Sequence, residues 1–268
     1  MNKIHKKSKS VEDRSLRSKN TKYLGLLTLI LMFAISSMAF AITADEIINK
    51  VEDNEYYTSA RMEADMIIKN GGREMTKTMV SISDGEDALV SFTNPMDRGT
   101  KYLKRDDELY MFFPDAEDIV HISGHMLNKS MMGSDFSYKD MMEADKLTDL
   151  YDFEIIDEEE HQGRPCYVIE GVKIEGKEDV QYYRRKMWID KERFVGLKEE
   201  LYAQSGKLLK VGIVEEVEQI EGTDRWFAMK SVMEDQLRRN TSTTFIIIEI
   251  EFDPEIPEGT FTLENLQS

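Results

Sequence analysis

Few side chains of this 268-residue chain stand where covalent or metal chemistry would need them. His121 and His125 are four apart, a spacing that puts two imidazoles on one helix face and can hold zinc. Ile122-Ser123-Gly124 between them disfavours a stable helix and no third ligand stands nearby, so no metal site is expected. Gly133-Ser134-Asp135 sets a serine beside a glycine, but the second glycine of a G-x-S-x-G nucleophile elbow is missing. Cys166, the single cysteine, has only Arg164 as a basic neighbour to hold a thiolate, and reads as a small buried apolar residue. His161 follows the acidic run Asp157–Glu160 and is expected in a solvated turn. No glycine-rich phosphate loop occurs. With 52 acidic residues, paired carboxylates carry little information. This pattern points away from an enzyme, and no cofactor is expected.

Methionine is the chemically distinctive residue. In MLNKSMMGSDFSYKDMM (126–142) five of seventeen residues are methionine, and Phe136 and Tyr138 add aromatic surface. Methionine is unbranched, polarisable and common on surfaces that accept varied apolar partners. Gly133, Ser134, Asp135 and Ser137 in the same stretch favour turns and caps. Composition leaves two readings of equal weight, ordinary core or an adaptable cover over an apolar ligand.

The N-terminus addresses the chain for export. Residues 1–22 carry eight Lys/Arg against Glu12 and Asp13, residues 24–35 (LGLLTLILMFAI) are apolar, and Ala39-Phe40-Ala41 offers small residues where a signal peptidase cuts. The apolar core is shorter than the ~20 residues of a membrane-spanning helix. A secretory signal over 1–41 is therefore expected, cleaved at the Ala39/Ala41 motif, leaving a single domain over 42–268. An uncleaved anchor is the alternative, and it too exports the remainder. That remainder has 27 Lys/Arg against 50 Asp/Glu, a net charge of −23. Such a surface excludes nucleic acid as a partner. It also opposes adsorption to anionic membranes, and keeps in solution a protein with an apolar cavity. A lone cysteine allows no internal disulfide, so stability rests on a core. A soluble monomer is expected.

Thr43 followed by Glu46 is a capping box opening a helix with Ile47, Ile48 and Val51 on one stripe, through about residue 55. The period then becomes two. Met62, Ala64, Met66 and Ile68 alternate with Glu63, Asp65 and Ile67, Asn70-Gly71-Gly72 is a hairpin turn, and Thr76, Thr78, Val80 and Ile82 return. Strands follow at 88–93, 100–105 and 108–113, stopped by Pro114, and again at 164–172, 181–190, 194–203, 208–220, 225–236 and 243–253. In the last, Ile246, Ile248, Ile250 and Phe252 are expected on one face, opposite Glu249, Glu251 and Asp253. From Pro114 to Tyr151 alternation fails, and Ser137 three residues before Asp140 signals a short helix. The fold class is mainly β: about ten antiparallel strands curled around an N-terminal helix and a mid-chain helical lid. Arg184-Arg185-Lys186 is expected to pair with the acidic runs rather than with an anionic head group. The acidic runs themselves suit turns and strand edges.

MMGSDFSYKDM (131–141), with FTNPMDRGTKYLKRDDELYMFFPD (92–115) before it and YRRKMWIDKERFVGLKEELYAQSGKLLK (183–210) and FDPEIPEGTFTLENL (252–266) after it, resembles the outer-membrane lipoprotein-sorting family, the LolA-like carriers. Within that family it resembles the branch associated with RND/MMPL-type exporters. The resemblance spans nearly all of the chain after the signal. It implies an unclosed β-barrel wrapped around helices, a hydrophobic cavity for acyl chains, a periplasmic location and no catalytic residues. The implied cargo is the acyl chains of a lipoprotein or a lipid, moved toward the outer membrane. The implied partner is an RND/MMPL-type inner-membrane transporter, and a non-carrying accessory subunit of such an exporter is the alternative function. Where the family is commonly basic after the Pro-Asp turn, this chain has Glu117 and Asp118. Alternation assigns Met62, Met66, Phe92, Tyr102, Tyr110, Phe112, Trp188 and Trp226 to the cavity wall. Met131, Met132, Phe136 and Met141 are assigned to the lid. A one-residue slip in any strand would reverse its face.

Overall fold

A computed structural model describes residues 42–142, 146–177 and 180–267. The expected signal segment and its Ala39/Ala41 cleavage motif lie outside the described residues. Thr43 caps helix α1 (Ala44–Glu55) as its sequence requires: its hydroxyl accepts from the Glu46 amide while the Glu46 carboxylate accepts from the Thr43 amide. One stripe of α1, Ala44, Ile47, Ile48, Val51 and Asn54, is buried.

Thirteen strands follow. The first arm comprises β1 (Ser59–Asn70), β2 (Arg73–Asp84), β3 (Asp87–Phe92), β4 (Lys101–Arg105), β5 (Glu108–Phe113) and β6 (Asp118–Ile122). The second comprises β7 (Tyr151–His161), β8 (Arg164–Lys173), β9 (Arg184–Asp190), β10 (Gly196–Tyr202), β11 (Leu208–Gln219), β12 (Trp226–Asp235) and β13 (Thr241–Phe252). Gly71 and Gly72 take the positive φ that the β1–β2 turn demands. All thirteen strands form one sheet, in the order β6-β5-β4-β3-β2-β1-β13-β12-β11-β10-β9-β8-β7. Each arm is an antiparallel meander of sequence neighbours, and the arms are seamed by β1 and β13. Strands β6 and β7 stay unpaired on their outer sides, so the sheet is unclosed. The chain that joins these two edges contains a 3-10 turn (Gly124–Met126), the methionine-rich stretch and helix α2 (Leu147–Leu150).

The sheet has an inner face, covered by the methionine-rich stretch on the first arm, and an outer face, covered on the same arm by helix α3 (Leu263–Gln267). Leu266 of α3 is fully buried against Leu89, Leu103 and Phe112. Helix α1 packs against β7 and β12. No helix among the described residues is long and apolar enough to cross a membrane.

Several sequence expectations need correction. Residues 118–122, read as loop, and 151–161, left without an element, are the edge strands β6 and β7, and the acidic run Asp157–Glu160 lies on a strand edge, one of the two places expected for it. Strand β7 defeats the alternation test because as an edge it exposes Glu158, Glu159 and Glu160. His161 is accordingly half-buried at a strand end, where burial and then Lys198 push its pKa down. In β13 a bulge opposite Glu63/Ala64 reverses the faces: Ile250 and Phe252 stand opposite Met62 and Ala60 as expected, but upstream Thr243, Phe245 and Ile247 oppose the inward Ile68, Met66 and Ala64. Ile246 therefore points outward, and Ile248 is 56% exposed.

Candidate functional site

Residues 127–139 form a distorted hairpin across the inner face. The Met131 amide donates to Phe136 O at 2.8 Å, Tyr138 N to Lys129 O at 3.1 Å and Lys139 N to Leu127 O at 2.8 Å. Met132 and Gly133 both take positive φ at its tip, with Gly133 at +83°. The expected helix after Ser137 stops at its cap: Ser137 and Asp140 exchange amide-to-side-chain bonds at 2.6 and 3.1 Å, then the chain continues in single turns through Met142.

Two aspartates fix this hairpin to the second arm. The Asp135 side chain is fully buried, accepts from Thr241 Oγ1 and Thr243 Oγ1 at 2.7 Å each, and lies 3.8 Å from the Arg238 guanidinium. The Asp135 amide donates to Thr243 Oγ1 at 2.8 Å, and Arg238 donates to Ser134 O at 2.9 Å. Asp140 takes the Lys210 ammonium at 2.5 Å and the Tyr182 hydroxyl at 2.6 Å. Burial, then the Asp140 carboxylate, push the Tyr182 phenol upward, so it remains a donor. The run Gly133–Asp140 thus has a physical content: glycine for the turn, Asp135 and Asp140 as anchors, and Phe136 and Tyr138 as apolar surface between them.

The apolar side of the hairpin seals the first arm. Met131 is 5% exposed and packs in one cluster with Ala64, Met66, Ile68, Met79, Phe92, Tyr102, Leu109 and Met111, with Met126, Met132, Phe136, Tyr138 and Met142 around it. Phe136 meets Phe245 edge-on at 6.5 Å, and Tyr138 meets Tyr102 at 5.9 Å. Between hairpin and sheet lies a cavity of about 50 Å³, walled by Met79, Val90, Tyr102, Lys104, Leu109, Met131, Tyr138 and Met141.

Of the residues assigned from sequence, Met66, Phe92, Tyr102, Met131, Met132 and Phe136 meet in this cluster, and Met141 lines the cavity while 42% exposed. Met62 shares the inner face of β1. Tyr110 and Phe112 do not join them. On β5 it is Leu109 and Met111 that face inward, and Tyr110 and Phe112 pack outside with α3. Trp188 is likewise outward, with Cys166, Val168 and Leu197; Lys186 and Lys198 stand 4.6 and 4.0 Å from its ring and Glu159 accepts its indole N–H at 2.7 Å. Trp226 opens β12 at the end of α1, under the Arg193 guanidinium. Sequence reading missed Lys104, which shares the inward parity of Tyr102.

On the inner face of the second arm, charged side chains stand among the buried Ile169, Met187, Ile189 and Leu201. Arg185 lies 3.4 Å from Glu199 and over the rings of Tyr151 and Tyr182. Arg184, on the opposite face, pairs with Glu170 at 2.6 Å, so both arginines find partners outside the acidic runs expected to pair with them. Glu55 is the last residue of α1, beyond its buried stripe. It keeps solvent contact, yet the surrounding protein, then Glu199 and Glu52, push its pKa up to about 7. A polar hollow of about 460 Å³ lies between the hairpin and this arm, edged by Ser134, Ser137, Gln181, Tyr182 and Lys210. No group of three or more His, Cys, Asp or Glu among the described residues is arranged to hold a metal ion. Cys166 is a free, fully buried thiol whose pKa burial raises.

Solved structures share this unclosed antiparallel sheet. A LolA superfamily protein from Nitrosomonas europaea superposes with a TM-score of 0.67 at 22% identity, over 84% of this chain and 100% of the other. A putative outer membrane lipoprotein-sorting protein domain from Vibrio parahaemolyticus gives 0.72 at 22% identity over the same shares. A DUF1329 family protein from Desulfovibrio piger gives 0.75 at 26% identity, covering 82% of this chain and 96% of that one. Residues 84–268 match a family described as "Uncharacterized protein", and the chain belongs to that family. No protein of curated function matches it.

Proposed function

We propose that this protein is an exported, periplasmic carrier that binds the acyl chains of lipoproteins or lipids beneath the methionine hairpin and moves them toward the outer membrane. The observation that carries this reading is the contrast within one hairpin: rigid ionic anchors on one side, and on the other a seal made of Met131, Met132, Met141 and Met142. Methionine side chains have rotamers to spare and make good contacts with hydrocarbon. At ~25 cal/mol per Å² of apolar surface removed from water, one acyl chain supplies several kcal/mol, enough for reversible capture. The cavity of about 50 Å³ is too small for such a chain, so loading requires Met131, Tyr138 and Met141 to move aside. No residue of the site is assigned a catalytic role.

The small cavity equally favours a second reading, an accessory subunit of an RND/MMPL-type exporter whose cavity stays plugged. Native mass spectrometry with lipid extraction, together with uptake of a fluorescent fatty acid, separates the two. Co-purifying lipid and saturable uptake are expected. Protein that is lipid-free and takes up no probe is the plugged subunit.

A further inference from the structure

Two polar groups on β4 face the methionine seal. Tyr102 and Lys104 are two residues apart and share the inner face, Tyr102 opposite Val90 and Met111 and Lys104 opposite Ala88 and Leu109. They are 4% and 8% exposed and both line the small apolar cavity. The Tyr102 hydroxyl is buried without a hydrogen-bond partner. Three lysines are buried to this degree among the described residues. Lys77 pairs with Asp97 at 2.7 Å and Lys210 with Asp140 at 2.5 Å, whereas Lys104 makes no ion pair or hydrogen bond among them.

The Lys104 ammonium has no counter-charge beside it, so an anion held there would gain a charge-assisted hydrogen bond. Burial drives the Tyr102 phenol upward, so it stays protonated and offers a donor. The cavity therefore presents one cation and one neutral donor, beside carbon and thioether walls. Its chemical complement is a hydrocarbon chain ending in anionic oxygen.

We infer that the cargo is an acyl-chain anion whose terminal carboxylate or phosphate binds Lys104 and the Tyr102 hydroxyl while its chain displaces the methionines. This rests on the acyl-carrier function proposed above and sharpens its cargo. The ester- or amide-linked chains of a lipid-modified protein carry no such terminal charge and would leave Lys104 unpaired.

Calorimetric titration of the purified protein with dodecanoate, dodecyl phosphate and dodecanol tests this, because the three share one chain and differ in the head. At least one anion is expected to bind about tenfold tighter than the alcohol, which is ~1.4 kcal/mol. The tighter of the two anions identifies the source as fatty acid or phosphorylated lipid. Lys104→Met is expected to bring anions and alcohol within about twofold of each other and to leave alcohol affinity unchanged, since only the charge-assisted bond is removed. It should also melt no lower than the parent, which establishes that the variant is folded. Tyr102→Phe should weaken the anions alone, by roughly threefold, the loss of one hydrogen bond. Equal binding of anions and alcohol by the parent, or a preference that survives Lys104→Met, overturns the inference and leaves the carrier function standing. Failure of all three to bind overturns both.

Discussion

The two halves of the inner face hold the hairpin on opposite principles. Under the hairpin, the first arm presents methionines and aromatics whose positions are set only by mutual packing. The second arm presents ion pairs and hydrogen bonds with one geometry each, Lys210–Asp140–Tyr182 and Thr243–Asp135–Arg238 among them. A soft surface can repack around a guest at small cost, whereas a buried ionic network holds one arrangement or breaks. The hairpin belongs to both halves, so under the proposed function its anchored side would be the hinge and its apolar side the part that yields.

Breaking an anchor should have the largest effect. Asp135→Ala leaves Thr241, Thr243 and Arg238 without their acceptor and is expected to cost about 3 kcal/mol, the usual loss when one partner of a buried network goes. Urea unfolding should show it, with faster amide exchange in 127–139. A loss no larger than a surface substitution would mean the ionic half is not what fixes the hairpin. Met131→Ala comes next, at roughly 2 kcal/mol or somewhat more for a buried methionine, and it should enlarge the cavity and speed fatty-acid uptake. Stability lost with uptake unchanged would make Met131 ordinary core. A double-mutant cycle of Lys210→Met with Asp140→Asn should give a coupling of about 1–2 kcal/mol. Coupling near zero would show the two halves to be equally soft.

Glu55 contributes a pH dependence in the charged half. Its folded pKa of about 7 lies above the ordinary value of 4.5, so the folded state binds the proton more tightly than the unfolded one. Stability from this group is full below pH 4.5 and is lost as pH rises toward 7. Because water reaches the side chain, the effect should be only about 1 kcal/mol. Glu55→Gln should remove that part of the decline in melting temperature between pH 5 and 8, and an unchanged decline would mean Glu55 is ionised throughout. The smallest effect is expected at half-open Met141, where Met141→Ala should change stability by less than about 0.5 kcal/mol.

How much of this was readable beforehand depended on whether a residue's fate was local. The α1 cap and the Asn70-Gly71-Gly72 turn are decided within four residues, and both form as their sequences require. The parity of β1 put Met62 and Met66 correctly inward. Tyr110 and Phe112 went wrong because β5 is apolar on both faces, its outer one covered by α3 from the far end of the chain. Trp188 went wrong because charged side chains can cover an outward tryptophan as fully as a core does. The β13 bulge has no signature among consecutive isoleucines. Lys104 was invisible as a site residue, since a lysine in a strand ordinarily points to water and only its own burial and that of Leu109 across from it show otherwise. The pairing of Asp135 with Thr243 joins residues 108 apart, beyond any local pattern.

The seam between β1 and β13 has a consequence for how the chain acquires this structure. Every other strand pairs with a neighbour in sequence, while β1 and β13 must find each other across nearly the whole described chain. Bringing such distant segments together carries the largest loop-closure cost and is intrinsically slow. Each arm can zip up by local hairpins, so the seam should close last, after the two meanders exist. Substitutions in the β1–β13 ladder, such as Phe245→Leu, should then speed unfolding with little change in the rate of the earliest refolding phase.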